Sequence, residues 1–250
     1  MTNKPTSSPD AAALAGRAKA APTLRRPRDA ATLVIVDRTS PTPRVLMGRR
    51  RPEQVFLPNT FVFPGGRVEP ADRAAARRHA LSAADLEALK VEMRGRRSDT
   101  RAAALALAAV RETYEETGII VGAAHATAPP PLASAWDAFH AEGYQPCLDK
   151  LTFFARAITP PGRPRRYDTR FFIVDADEVC HRVERTDGEL LDIDWYPLDR
   201  ARALKLPSIT RLVIEDVAQF IDRQGDNEGP CDVPFYYHRH GRQERAVLRR

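Results

Sequence analysis

The chain has 250 residues, of which 39 are Lys or Arg and 33 are Asp or Glu, giving a formal net charge of +6. A chain of this length can bury the core of one large domain or two small ones. Its apolar runs are shorter than the ~18 residues that cross a bilayer, and its three cysteines are too widely spaced for a disulfide framework or a zinc site. These features exclude an integral membrane protein and indicate a reduced, cytoplasmic compartment.

The excess positive charge lies at the two ends of the chain. Residues 1–28 hold six basic side chains and one acidic one, and residues 238–250 hold five and one. The part between them has three more acidic than basic side chains, so we do not expect the domain itself to bind nucleic acid. An RNA-associated protein that uses the basic tails is an alternative, which a strong salt dependence of RNA binding would identify.

Composition also suggests how the chain is divided. Residues 1–28 contain almost no large apolar side chain and are predicted to form a disordered basic tail, or alternatively an organelle transit peptide. We predict a single domain over residues 29–223, with a helical insert at residues 73–97. Residues 224–250 are predicted to be an irregular basic tail.

Strands and helices alternate along the predicted domain. Ser98 is a candidate N-cap and Gly118 a candidate C-cap for a long helix over residues 100–117. The order of elements predicts an α/β fold with a mixed sheet between helices. Strands are predicted at residues 32–36, 44–48, 61–63, 119–121, 151–158, 170–174 and 190–196, and further helices at 71–97, 133–142 and 209–223.

Three glutamates lie close together at the end of the long predicted helix. Glu112, Glu115 and Glu116 have the spacing i, i+3, i+4, so their carboxylates project from one side of the helix. Like charges on one turn repel each other and the negative end of the helix dipole. A divalent cation would relieve this repulsion, because Mg²⁺ and Mn²⁺ take oxygen ligands. The alternative is an ordinary solvated helix face.

Residues 61–72 and 111–119 together resemble the signature of the Nudix hydrolase family. That signature is Gly, five residues, Glu, seven residues, then Arg-Glu-aliphatic-x-Glu-Glu-x-Gly-aliphatic. Gly66 matches its first glycine, and residues 111–119 match its second half apart from Thr113. We expect the Thr113 hydroxyl to bond to the carbonyl of Ala109. Asp72 stands in place of the first glutamate, and 38 residues separate it from Arg111.

Residues 56–66 and 166–172 also resemble a branch of the family that carries a long insert at this point and looks like coenzyme A diphosphatases. The resemblance implies an α/β/α sandwich and hydrolysis of a diphosphate linkage in a nucleoside diphosphate derivative, with Mg²⁺ or Mn²⁺ as cofactor. Coenzyme A or acyl-CoA is the implied substrate. ADP-ribose and NADH are alternatives, and so is a non-catalytic Nudix domain that senses a nucleotide. We expect no membrane partner and leave a homodimer open.

The same resemblance assigns roles to individual residues. The metal ligands would be Glu112, Glu115, Glu116 and the carbonyl of Gly65, and Arg111 would hold the glutamates by a bidentate contact. The general base varies within the family, so Glu112, Glu115 and, outside the motif, Glu189 are candidates. Among four nearby arginines, Arg166 and Arg170 are predicted to contact substrate phosphates, because guanidinium groups match phosphate geometry. The alternative is that Arg163, Arg165, Arg166 and Arg170 only solvate a strand and its preceding loop.

Overall fold

The computed structural model describes residues 26–125, 134–184, 188–225 and 232–249. The disordered tail predicted for residues 1–28 therefore lies almost wholly outside the described residues. Across the described part of the chain, every helix is too short or too polar to cross a membrane.

Twelve strands and six α-helices make up the described chain. The strands are β1 (Arg28–Asp37), β2 (Arg44–Arg50), β3 (Phe61–Val62), β4 (Gly65–Arg67), β5 (Ile119–Ala124), β6 (Tyr144–Pro146), β7 (Thr152–Ile158), β8 (Tyr167–Asp175), β9 (Val179–Arg182), β10 (Leu190–Pro197), β11 (Val233–Arg239) and β12 (Arg242–Leu248). The helices are α1 (Pro70–Ala75), α2 (Ala83–Lys90), α3 (Asp99–Thr117), α4 (Asp137–Ala141), α5 (Leu198–Ala203) and α6 (Ser208–Gly225).

The main sheet is mixed, as the sequence predicts. Its strand order is β10-β2-β1-β8-β7-β11-β12, with β3 beside β2 and β4 beside β1. The pairs β1–β8 and β7–β11 are parallel, and the other neighbours are antiparallel. A smaller antiparallel sheet has the order β6-β5-β9.

The central strand β1 is buried on both faces. Leu33 and Ile35 pack into a core that includes α3, whereas Val34 and Val36 pack into a second core that includes α6. Because successive side chains of a strand point to opposite faces, one continuous apolar run serves both cores. The sheet therefore lies between helices, in the predicted α/β/α sandwich.

The long helix α3 begins and ends where the sequence predicts. The hydroxyl of Ser98 accepts a hydrogen bond from the Arg101 N–H at 3.2 Å and caps the first turn. Gly118 closes the last turn with φ of 72°, and its N–H donates to the Tyr114 carbonyl at 2.8 Å. Alanines at residues 102–104 and 106 are all buried, and their small side chains allow the helix to lie close to β1.

The segment 73–97 is less helical than predicted and is part of the domain core. Ser82 accepts the N–H of Asp85 and starts α2, which is the one full helix within the segment. Leu89 and Met93 are buried in the same core as α3. The Asp85 carboxylate also accepts the backbone N–H of Phe153 at 2.9 Å. These contacts attach the segment to both α3 and the main sheet.

The prediction of an irregular tail over residues 224–250 is wrong, because β11 and β12 form an antiparallel hairpin there. β11 also extends the main sheet by pairing in parallel with β7. Phe235 packs on one face of the sheet and Tyr236 on the other, which fits strand alternation. The edge strand β12 is rich in charged residues, as exposed edge strands often are, and this concealed the strand pattern.

Candidate active site

A cavity of about 490 Å³ opens beside the carboxyl end of α3. Glu112, Glu115 and Glu116 line this cavity. Glu189, which directly precedes β10, lines it too. The sheet supplies the floor through β1, β4 and β8. The structure therefore brings the three clustered glutamates and the fourth candidate, Glu189, into one cavity.

Two glycines let the chain wrap closely around these carboxylates. A Cβ atom at Gly66 would collide with the carboxylate of Glu112, so any larger residue there would displace that group. The N–H of Gly65 donates to Glu116 Oε2 at 2.9 Å. Gly65 thus contacts Glu116 through its backbone amide, and metal binding by its carbonyl stays a prediction.

The acidic side of α3 is more buried than the sequence suggests. Glu116 is only 4% exposed and the Glu112 side chain 16%, because the glycine loop and β4 cover this part of the helix. Burial raises the pKa of Glu116 to about 8, against the opposing hydrogen bond from Gly65. Burial raises the pKa of Glu112 to about 7, against the opposing charge of Arg111. The site therefore holds carboxylates whose ionised form is not fully compensated.

Arg111 contacts two of the predicted glutamates, but its bidentate partner is Asp72. Its Nε and Nη2 atoms form a bidentate pair with Asp72 at 2.9 and 3.0 Å, and both side chains are buried. It makes only single contacts with the glutamates, at 2.7 Å to Glu115 and 3.1 Å to Glu112. The predicted bidentate contact between Arg111 and the glutamates is therefore wrong. Asp72 fixes the guanidinium group, which then makes one contact with each of two glutamates.

Two groups that the sequence analysis missed complete the surroundings of Asp72. The backbone N–H of Glu69 donates to Asp72 Oδ2 at 2.8 Å, within a capping box at the start of α1. The indole Nε1–H of Trp136 donates to Asp72 Oδ1 at 3.1 Å. The three-residue spacing of Glu69 and Asp72 is a signal for the first contact. No spacing signals the second, because Trp136 lies 64 positions further along the chain.

The structure does not bring Arg166 and Arg170 to the cavity. The odd-numbered residues Tyr167, Thr169 and Phe171 of β8 line it, so the even-numbered residues of this strand face away. Arg170 is buried against Asp168, with its Nη1 atom 2.8 Å from the carboxylate. The prediction that these two arginines bind phosphate is therefore corrected. Arg165, which lies just before β8, lines the cavity, as do Arg50, Arg67 and Arg111 from other segments.

Aromatic and aliphatic side chains also line the cavity. Phe56 and Tyr167 meet there edge to face, with ring centroids 5.8 Å apart. Phe63, Phe171 and Ile209 line the same cavity. Arg50 Nε donates to the carbonyl of Phe56 at 3.0 Å and so holds the loop that carries this ring. The cavity lining thus contains both acidic and aromatic side chains.

The acidic side suits a divalent cation in its donor chemistry. Carboxylate oxygens are the ligands that Mg²⁺ and Mn²⁺ prefer, and the three glutamates of α3 all have raised pKa values because burial disfavours their charge. In their present orientation they do not close a ligand set: within the described ranges, no group of three or more His, Cys, Asp or Glu is arranged to hold one ion. The residues fit the ion, although their side chains would have to turn towards it.

Comparisons with known proteins point in one direction. A crystal structure of a Nudix hydrolase from Alicyclobacillus acidocaldarius superposes with a TM-score of 0.59 and 28% identity, over 77% of this chain and 92% of that one. The chain has the Nudix fold. It is also 28% identical over 178 residues to a Caenorhabditis elegans protein named as nudix hydrolase 7.

The two similarities differ in extent. The match to the C. elegans protein covers 67% of this chain but 50% of that one, so the chain spans about half the length of its curated relative. No family model matches the chain. The name of this relative and the structural neighbour support the Nudix hydrolase family for the domain described here.

Proposed function

We propose that this protein is a divalent-metal-dependent hydrolase that cleaves the diphosphate linkage of a nucleoside diphosphate derivative. The observation that carries the proposal is the cavity in which Glu112, Glu115, Glu116 and Glu189 meet. Within a Nudix fold, this excess of partly buried carboxylate supports a site for a cation and for a polyanionic substrate bound through it.

The residues would divide the work as follows. Glu112, Glu115 and Glu116 hold the cation, which supplies Lewis acidity at phosphate oxygens and lowers the pKa of bound water. Arg111 fixes two of these glutamates, and Gly66 leaves room for their close packing. Water adds across one P–O bond of the diphosphate, so that its oxygen joins phosphorus and its proton ends on the leaving phosphate. Glu112, Glu115 and Glu189 are the candidate groups to accept that proton first.

Glu189 has a supporting contact of its own. The amide of Gln54 donates to Glu189 Oε2 at 2.9 Å, which orients the carboxylate from outside the motif. Its distance in sequence from the other glutamates allows it to be tested separately. Glu189→Gln is expected to lower kcat while leaving the Mg²⁺ requirement unchanged, if it is the base.

The substrate is proposed more finely on two grounds. Sequence resemblance to the coenzyme A diphosphatase-like branch favours coenzyme A or acyl-CoA, with ADP-ribose and NADH as alternatives. The aromatic lining of the cavity, with Phe56 and Tyr167 in contact, supports a substrate that carries a flat base or an apolar group beyond the diphosphate. Arg50 and Arg165 supply positive charge along the same cavity.

One panel of assays tests the proposal. The full chain would be incubated with coenzyme A, acetyl-CoA, ADP-ribose or NADH, each with Mg²⁺, with Mn²⁺ or with EDTA, and the products identified by mass. The expected result is metal-dependent release of two phosphate monoesters from at least one compound. Glu116→Gln is the matched inactive control.

Two outcomes would contradict the proposal. Tight binding of a nucleotide without turnover under any metal condition would favour the non-catalytic sensing domain. Hydrolysis that is equally fast in EDTA and in Glu116→Gln would separate the activity from this cavity altogether.

A further inference from the structure

The carboxylate of Asp72 is completely buried and has four donors. Arg111 Nε and Trp136 Nε1 donate to Oδ1, and Arg111 Nη2 and the Glu69 N–H donate to Oδ2. A buried carboxylate with fewer donors would keep part of its desolvation cost, so each of these contacts helps to offset that cost and to fix Asp72 in place. Of the four donors, only the indole comes from outside the Nudix motif.

Trp136 is held from the other side by an aromatic cluster. It is 1% exposed and packs edge to face on Phe139, with centroids 5.3 Å apart. Phe139 in turn meets Tyr114 of α3 at 5.4 Å. The indole therefore has one orientation, and this orientation directs its N–H at Asp72.

Asp72 is one methylene shorter than the glutamate of the family signature, and the indole lies on the same carboxylate. A chain of direct contacts runs from Trp136 to Asp72 at 3.1 Å, from Asp72 to Arg111 at 2.9 and 3.0 Å, and from Arg111 to Glu115 at 2.7 Å. Each contact in this chain helps to hold the next side chain in place.

We propose that Trp136 is a positioning residue of the active site: its indole N–H fixes Asp72, and through Asp72 and Arg111 it sets the orientation of Glu115. The inference rests on the proposed function, since its consequence for catalysis passes through the glutamates. A positioning role of Trp136 differs from a packing role in one respect. It requires the indole N–H, which phenylalanine lacks, and not only the ring.

The test compares the same substitution at the two tryptophans of the chain. Trp136→Phe removes the N–H and keeps an aromatic ring in the cluster. Trp195→Phe makes an identical change in β10, at a residue that does not line the cavity. In Trp136→Phe we expect kcat to fall by about threefold to tenfold and the half-saturating Mg²⁺ concentration to rise by a similar factor. In Trp195→Phe both quantities should stay within about twofold.

A third variant separates positioning from packing. Leu89→Ala opens a cavity in the same core, on α2, without removing a donor from Asp72 or changing the aromatic cluster that holds the indole. It should lower the melting temperature at least as much as Trp136→Phe, while disturbing kcat and the Mg²⁺ requirement less. If Trp136→Phe lowers the melting temperature alone, with kcat and the Mg²⁺ requirement unchanged, the indole only packs and the proposal is overturned.

A spectroscopic measurement tests the contact without turnover. The ¹⁵N-labelled chain has two indole N–H signals, assigned by the two tryptophan variants. The Trp136 signal should exchange slowly with solvent, and it should shift in Glu115→Gln, which lies at the far end of the contact chain. If the Trp136 indole N–H exchanges fast with solvent and its chemical shift is unchanged in Glu115→Gln, the proposal is overturned. These results stand even if no substrate in the panel is cleaved, so failure of the proposed function is recognised separately.

Discussion

The two ends of α3 hold charged clusters of opposite balance. At its amino end, Arg101 pairs with Asp29 at 2.7 and 2.8 Å, and Asp168 lies between two further arginines of the sheet. That cluster has three arginines, which are Arg101, Arg156 and Arg170, for two aspartates. At its carboxyl end, Arg111 contacts Asp72, Glu112 and Glu115, and the charge of Arg50 acts on Glu116, so carboxylates outnumber the arginines that act on them.

The pKa values follow this balance. Burial opposes ionisation of Asp168, but the hydrogen bonds of Arg156 and the charge of Arg170 outweigh it and hold its pKa below the usual value. Burial also acts on Glu112 and Glu116, and there no comparable set of cations outweighs it, so their pKa values rise. The amino-end cluster has enough cations of its own to be structural, whereas the carboxyl-end cluster has the excess negative charge on which the proposed cation site rests.

The amino-end cluster offers the largest expected effect on stability. Asp168→Asn leaves Arg156 and Arg170 buried without their shared counter-charge, so the free energy of unfolding should fall by about 3–5 kcal/mol. Urea denaturation measures this loss, with the exposed Asp177→Asn as the matched control. The loss should be the same with and without Mn²⁺. A change below about 1 kcal/mol would show that the cluster contributes little, contrary to its assignment as structural.

The carboxyl-end cluster should respond in the opposite way. Glu116→Gln removes a buried ionisable group whose pKa is raised, so stability without metal should hold at pH 5.5 and rise at neutral pH. Catalysis should fall by about 10²–10³ in kcat, or about 3–4 kcal/mol in the barrier, because the cation loses a charged ligand. Normal kcat at saturating Mg²⁺, together with lower stability, would make Glu116 a structural residue.

The pH dependence of stability distinguishes the same two clusters. A carboxyl group whose pKa is raised from 4.5 to about 8 binds its proton more tightly when folded, so its contribution to stability is complete below pH 4.5 and is lost as pH rises towards 8. The metal-free protein should therefore lose stability between pH 5.5 and pH 9. Urea denaturation in EDTA should show a smaller loss for Glu116→Gln. Identical pH profiles would contradict a raised pKa at this position.

An exposed ion pair should have the smallest effect on the free energy of unfolding. Glu215 contacts Arg202 at 2.8 and 2.9 Å, and both side chains are more than 40% exposed. Glu215→Gln should change the free energy of unfolding by less than about 1 kcal/mol and leave kcat unchanged. A loss as large as that of Asp168→Asn would show that burial is not what separates the clusters.

The sequence predicts the parts of the site that lie within one helix. The caps of α3 and the grouping of Glu112, Glu115 and Glu116 follow from spacing. The bond from the Thr113 hydroxyl to the Ala109 carbonyl is confirmed at 2.7 Å. These contacts are local, so they depend on helix geometry alone.

Contacts between distant segments could not be predicted in this way. Thr169 and Phe171 line the cavity and Arg170 does not, because the two faces of β8 pack into different cores. Which face meets which core is decided by packing on both sides of the sheet. The contact of Trp136 with Asp72 depends on where α4 settles. The hairpin of β11 and β12 was missed because its exposed edge strand is charged.

Calorimetric titration of the metal-free protein with Mn²⁺, in buffers of different ionisation enthalpy, tests most directly whether the carboxyl end of α3 binds a cation. The raised pKa values of Glu112 and Glu116 mean that protons must leave before the carboxylates can bind metal at neutral pH. The account predicts release of about one to two protons per Mn²⁺ at pH 7, nearly none at pH 9.5, and a smaller release from Glu116→Gln at pH 7. Absence of Mn²⁺ binding, or a proton release that is the same at both pH values, would contradict it.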